Sequence, residues 1–170
     1  QGGDIVSEQP ITIPISTPED LILLARAINK LHNEQQRDLM VTLTNDIDLT
    51  GVEWTPIGNE DIPFYGTFDG GGHSISGLHI DKTEGGCGLF GVCAGTIETL
   101  TVTGSITCVA ADVHSAVGGI AGLVVGGHIS NCAVDIVIDS NRLSLGMYAG
   151  GVVGNITEGT IRGCRSSTRF

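Results

Sequence analysis

The chain has 170 residues and a formal net charge of −11, with 16% charged residues, 4% aromatics, 26 glycines and 5 prolines. That length suits one domain with a sizeable core, and the composition is too apolar for disorder and lacks the strict glycine period of collagen. So acidic a protein is a poor match for phosphate backbones, which sets nucleic acid aside as a partner.

No run reaches the roughly 18 apolar residues of a membrane-spanning helix. Gln1-Gly2-Gly3-Asp4 lacks the basic and apolar regions of a signal peptide and fits the start of a mature exported chain. Five cysteines make an odd count, and no CxxC occurs, which argues against a redox motif and a zinc ribbon together. The charge is uneven. Residues 1–84 carry 14 acids and 4 bases, whereas residues 85–170 carry 5 acids and 4 bases.

Residues 1–38 read as an N-terminal strand and a capping helix. Ile11-Thr12-Ile13-Pro14-Ile15 alternates like a strand, and Pro14 restricts it to a sheet edge. Thr17-Pro18-Glu19-Asp20 is a helix start, with a capping hydroxyl, a proline at the first turn and acids at the positive end of the dipole. Leu21, Leu24, Ile28 and Leu31 recur at helical spacing, predicting a helix over 18–33. Its apolar stripe must lie on something apolar, such as the open end of a stack of strands.

Residues 39–85 read as lead-in coils. Leu39, Val41 and Leu43 alternate with polar positions, and Trp54-Thr55-Pro56-Ile57-Gly58 and Gly66-Thr67-Phe68-Asp69-Gly70 follow. Residues 86–170 repeat themselves. Gly88-Leu89-Phe90-Gly91 is echoed by Gly119-Ile120-Ala121-Gly122 and Gly151-Val152-Val153-Gly154, at spacings of 31 and 32. Gly95-Thr96-Ile97 is echoed by Gly127-His128-Ile129 and Gly159-Thr160-Ile161, at spacings of 32 and 32. Two motifs keeping one period signal a solenoid of about three repeats. Paired helices would lose about 1 kcal/mol for each of the several glycines per repeat, whereas short β-branched runs with glycine corners suit strands. The fold expected is all-β: a parallel, right-handed β-helix in a single domain, with one N-terminal capping α-helix and coils rising about 4.8 Å.

The Gly-Leu-Phe-Gly run and its echoes resemble the GLUG repeats of bacterial surface proteins. Leu43-Thr44-Asn45-Asp46-Ile47-Asp48-Leu49, Trp54-Thr55-Pro56-Ile57-Gly58 and Gly66-Thr67-Phe68-Asp69-Gly70 resemble the lead-in to such repeats, so that the likeness spans about residues 17–170. The resemblance implies a secreted or cell-surface location and a role in adhesion or display. Some members of that family are joined to IgA-cleaving metallopeptidases, but HExxH is absent here, and that chemistry does not carry over.

Asp46, Asp48 and Asp69 are the enzyme-like feature. On an extended strand Asp46 and Asp48 point to one side, and paired carboxylates can act as acid and base on a sugar polymer. The structural alternative is turn chemistry, in which Asp bonds its own backbone at strand corners. Calcium needs about six to eight oxygens, for which only the acidic first half is rich enough. Gly70-Gly71-Gly72-His73 has no following lysine and reads as a tight corner, not a phosphate cradle. The histidines at 32, 73, 79, 114 and 128 are scattered, no GxSxG occurs, and neither a metal nor another cofactor is indicated. Cys132 and Cys164 share a repeat position with Leu100, so they point inward as a reduced ladder of small apolar thiols. Thr99, Thr101 and Thr103 form a threonine row that does not persist into the next repeats, which argues against ice binding.

The expected activity is therefore non-catalytic binding of a glycan or protein ligand through exposed loops. The candidate loops are Asn59–Tyr65 (Asn59, Glu60, Asp61, Tyr65), Cys108–Ala116 (Asp112, His114) and Asp139–Met147 (Asn141, Arg142), with Tyr148 beside the last. A polysaccharide-active enzyme using the three aspartates and a passive spacer are the alternatives. The last repeat stops about ten residues past Gly159 without a capping pattern, so the chain is expected to be part of a longer one or to pair its last coil with a partner.

Overall fold

The computed structural model describes residues 10–82, 85–108, 115–139 and 147–170. Its backbone winds into a β-solenoid of about five turns. The elements in chain order are β1 (Ile11–Ile15), α1 (Pro18–Ile28), α2 (Asn33–Gln36), β2 (Leu39–Leu43), β3 (Ile47–Asp48), β4 (Thr67–Asp69), β5 (Ser74–Lys82) and β6 (Gly86–Cys87). They continue with β7 (Phe90–Cys93), β8 (Thr96–Glu98), β9 (Thr101–Cys108), β10 (Ala116–Val117), β11 (Ala121–Ser130), β12 (Ala133–Ile138), β13 (Tyr148–Ala149), β14 (Val153–Arg162) and β15 (Arg165–Arg169).

The strands stack into three parallel sheets: β1-β2-β4-β8-β11-β14 with β7 also on β11, then β3-β5-β9-β12-β15, then β6-β10-β13. Register reproduces the sequence period. Phe90 pairs with Ala121, 31 residues on, and Ile97, Ile129 and Ile161 stack at intervals of 32. The lead-in coils are shorter, since Met40 pairs with Thr67 and Thr67 with Thr96, 27 and 29 residues on. β11 and β14 each turn a corner, with register shifts between Val124 and Gly127, where Gly126 and Gly159 have φ of +113° and +130°.

Along β2 and β12 inward positions alternate with outward ones, and the inward side chains fill one continuous core. Phe68, Ile97 and Ile129 form one fully buried rung, and Val102 and Val134 another. Phe90 anchors the middle, its ring 5.0 Å from Phe64 and edge-on to Phe68 at 5.3 Å. Such pairs contribute about 0.5–1.5 kcal/mol beyond their buried area. Leu100 and Cys132 are buried on one column with Cys164, and none of the five cysteines is in a disulfide.

The first coil carries a capped helix packed on the core. Thr17 accepts from the Asp20 N–H, and the Asp20 carboxylate accepts from the Ser16 and Thr17 N–H groups. The helix so capped buries Leu21, Leu24, Ala25 and Ile28 against the core. It stops at Ile28, five residues short of the predicted end, because the chain turns at Asn29 into the one-turn α2. Leu31 packs against the core from outside that helix. β1 is the edge strand expected, and beside β2 its Ile11 N–H donates to the Asp38 carbonyl while its Ile15 carbonyl accepts from the Thr44 N–H. Pro14 therefore belongs to the alternate set facing away, so one outward donor is missing from that edge.

Candidate functional site

The three aspartates each accept a backbone N–H at a corner of the coil. Asp46 Oδ1 accepts from the Ser74 N–H at 3.0 Å, in the next coil, and lies 3.2 Å from His73 Nδ1. Asp48 Oδ1 accepts from the Thr50 N–H at 2.9 Å and its hydroxyl at 2.6 Å. Asp69 Oδ1 accepts from the Gly71 N–H at 2.8 Å. The Ser74 N–H bond, then the His73 ring, holds the Asp46 carboxyl below its ordinary range, and the Thr50 bonds do the same for Asp48. Ionised, each is a fixed acceptor at a corner. Gly77, at φ +67°, lets the next coil close over that corner, since a Cβ there would lie 2.5 Å from Thr50 Oγ1. Among the described residues no cluster of three or more His, Cys, Asp or Glu side chains is arranged to hold a metal ion.

Of the candidate loops, 59–65 lies within the described residues. Asn59 is a turn residue: its Oδ1 accepts from the Asp61 and Ile62 N–H groups, and its own N–H donates to the Ile62 carbonyl. That leaves Glu60 and Asp61 exposed at the tip, with Tyr65 half-buried. The loop is anchored beneath by Gln36, a fully buried amide that donates to the Leu31 and Pro63 carbonyls and accepts from the Tyr65 N–H. Asp112, His114, Asn141 and Arg142 lie outside the described residues. The strands flanking those two segments are in register, Ile106 with Ile138 and Ala116 with Tyr148, so both segments leave and rejoin the coil at one phase. Tyr148 is 51% exposed.

Sequence reasoning did not foresee a cleft of about 180 Å³ between α1 and residues 52–55. Ile22, Ala25, Val52 and Trp54 give it an apolar lining, and Arg26 and Glu53 are its charged groups. Trp54 Nε1 donates to the Leu89 carbonyl at 2.9 Å, and the Asn29 amide donates to Pro56 C=O and accepts from the Gly58 N–H. Nothing in the local sequence signals this meeting of groups 23 or more residues apart, because the helix position is set by tertiary packing.

No family model matches the chain. It is 33% identical over 112 residues, 61% of its length, to a provisionally named Gly-rich membrane protein of Evansella cellulosilytica. It is 30% identical over 156 residues, 82% of its length, to the halomucin of Haloquadratum walsbyi. The chain spans 12% of the first of these relatives and 2% of the second. Among solved structures it resembles a chain from Bacteroides ovatus, provisionally named an immunoglobulin A1 protease, with a TM-score of 0.53 at 20% identity over 89% of this chain and 55% of that one. At that identity the likeness is one of fold: this chain shares a β-solenoid with that protein.

Proposed function

We propose that this chain is a secreted or cell-surface β-helix domain of GLUG type that acts in adhesion or display, binding a glycan or protein without catalysis. The observation that carries the reading is the use made of the carboxylates. Asp46, Asp48 and Asp69 each tie down corner backbone, so the acids best placed by sequence for chemistry are structural. Function then falls to exposed loops on a rigid scaffold, the ordinary division of labour in repeat proteins. The names of the relatives, a membrane protein and a halomucin, support a surface location. The binding positions assigned are Glu60, Asp61 and Tyr65, with Asp112, His114, Asn141, Arg142 and Tyr148 at the other phase.

The test is retention of the chain on immobilised glycans and matrix proteins, with mass analysis of anything released. Retention without fragments, weakened by Glu60→Ala with Asp61→Ala or by Asn141→Ala with Arg142→Ala, is the result expected. Release of saccharide fragments, abolished by Asp46→Asn, overturns it in favour of an enzyme. Absence of retention on every surface overturns it in favour of a spacer.

A further inference from the structure

Between residues 54 and 65 the chain meets α1 and α2 on one side and the following coil on the other. Trp54, Ile57 and Phe64 each donate their N–H at 3.0 Å to that coil, to the carbonyls of His79, Leu89 and Val92. In parallel pairing the backbone groups of adjacent residues point to opposite sides, so those flanking these three face back toward the helices. At two of the three places a side-chain amide answers them. Around Ile57, Asn29 donates to the Pro56 carbonyl at 3.1 Å and accepts from the Gly58 N–H at 2.7 Å. Around Phe64, Gln36 donates to the Pro63 carbonyl at 3.2 Å and accepts from the Tyr65 N–H at 2.9 Å. Around Trp54 the pair is open: among the described residues the Glu53 carbonyl and the Thr55 N–H form no hydrogen bond. Glu53 and Thr55 line the cleft beside α1, as does Asn29.

We propose that this cleft binds a primary carboxamide on a short aliphatic stem, the side chain of a glutamine, which closes the Glu53–Thr55 edge as Asn29 and Gln36 close the other two. The open pair selects the group. A carboxylate offers only acceptors and would set one against the Glu53 carbonyl, while an ammonium offers only donors. A secondary amide is trans, with its N–H and C=O opposed, so it satisfies one member of the pair. A primary carboxamide carries a donor and an acceptor side by side.

A whole added strand does not fit. Asn29 already holds 56–58, and the Val52 N–H is turned back to the Leu49 carbonyl, which leaves a free edge one pair long. Beside that pair, Ile22, Ala25, Val52 and Trp54 form an apolar wall for the methylene groups of the stem. Trp54 is fixed there by its Nε1 bond to Leu89. At about 180 Å³ the cleft suits a single side chain. Pockets for drug-sized ligands begin at roughly 300 Å³.

The experiment is an amide-resolved NMR titration of the whole chain with L-glutamine and, separately, with N-acetyl-L-glutamine N-methylamide, whose one primary carboxamide is in the side chain. The expected result is a saturable shift of the Thr55 amide, shared by the Trp54 indole N–H, while the Gly58 and Tyr65 amides stay nearly still. Tighter binding of the blocked form assigns the site to a glutamine borne on a protein. Tighter binding of the free form, whose two α-charges Arg26 and Glu53 can meet, assigns it to the amino acid itself. Either outcome supports the carboxamide site. L-Glutamate and L-methionine should bind about tenfold or more weakly. Ile22→Trp fills the cleft from a partly exposed position on α1 and should abolish the response. Thr55→Pro removes the donor without breaking a hydrogen bond of the fold, and should abolish the shift at the Trp54 indole. No shift at Thr55 with either probe, an equal response to methionine, or a response retained in either folded variant overturns the proposal.

Discussion

Asn131 stands one coil beyond Thr99 at the same corner and repeats its backbone, with φ of +54° and +56°. Gly163, one coil further, has φ of +61°. The corner thus demands the left-handed region in every repeat, and three different residues answer it. Glycine fits without cost and Asn tolerates it, while a β-branched Thr is strained there by about 1–2 kcal/mol. Thr99→Asn should therefore stabilise the fold by about 0.5–1 kcal/mol, read as a higher urea midpoint at unchanged slope. Gly163→Ala should act in the opposite sense, since its Cβ would also lie 2.6 Å from Asn131 Oδ1.

The hydrogen bonds at Asp46 have a pH consequence. Its folded pKa lies below the ordinary value of 3.8, so its contribution to stability is complete above that value and is lost as pH falls through the folded pKa. Asp46→Asn keeps an oxygen for the Ser74 N–H and removes the titration. Its stability should fall less steeply than the parent's below pH 4, as measured by urea unfolding at successive pH values. An acid limb of unchanged steepness would contradict the assignment.

Gln36 is the side chain on which the 59–65 loop rests. Gln36→Leu leaves the Leu31 and Pro63 carbonyls and the Tyr65 N–H without their partner in a buried place. Unpaired buried groups cost about 1–3 kcal/mol each, partly relieved by local movement, so a loss of about 2–4 kcal/mol is expected. Hydrogen exchange at the Tyr65 amide should accelerate more than at Val102 in the central core. Equal acceleration at both would show global destabilisation instead.

The thiols should divide by position. Burial pushes Cys93 and Cys132 up to about 12, which leaves almost no thiolate at pH 8. Cys87 and Cys108 are fully buried, and Cys164 is only half-buried. Intact-mass analysis after alkylation should find Cys164 modified in the native protein and all five modified in urea. Rapid native labelling of Cys132 would contradict the buried ladder.

The sequence by itself determined the solenoid, its period and its phase. Ile97, Ile129 and Ile161 recur at the period with which they stack, because in a parallel stack each coil must repeat the inward pattern of the one below. The reach of the cap was less legible: α1 ends at Ile28 although Leu31 continues its spacing, since the turn at Asn29 is held by Pro56 and Gly58, distant in sequence. For the aspartates, sequence offered two roles, and only the fold placed Asp46 against Ser74 of the next coil and Asp48 in its own turn. The tertiary structure also decided what lies open. Val124 and Ile156 are alike in the sequence and occupy one column, yet one is fully buried and the other 39% exposed. Periodicity fixes which way a side chain points within its coil, but its burial depends on whether another coil stands over it.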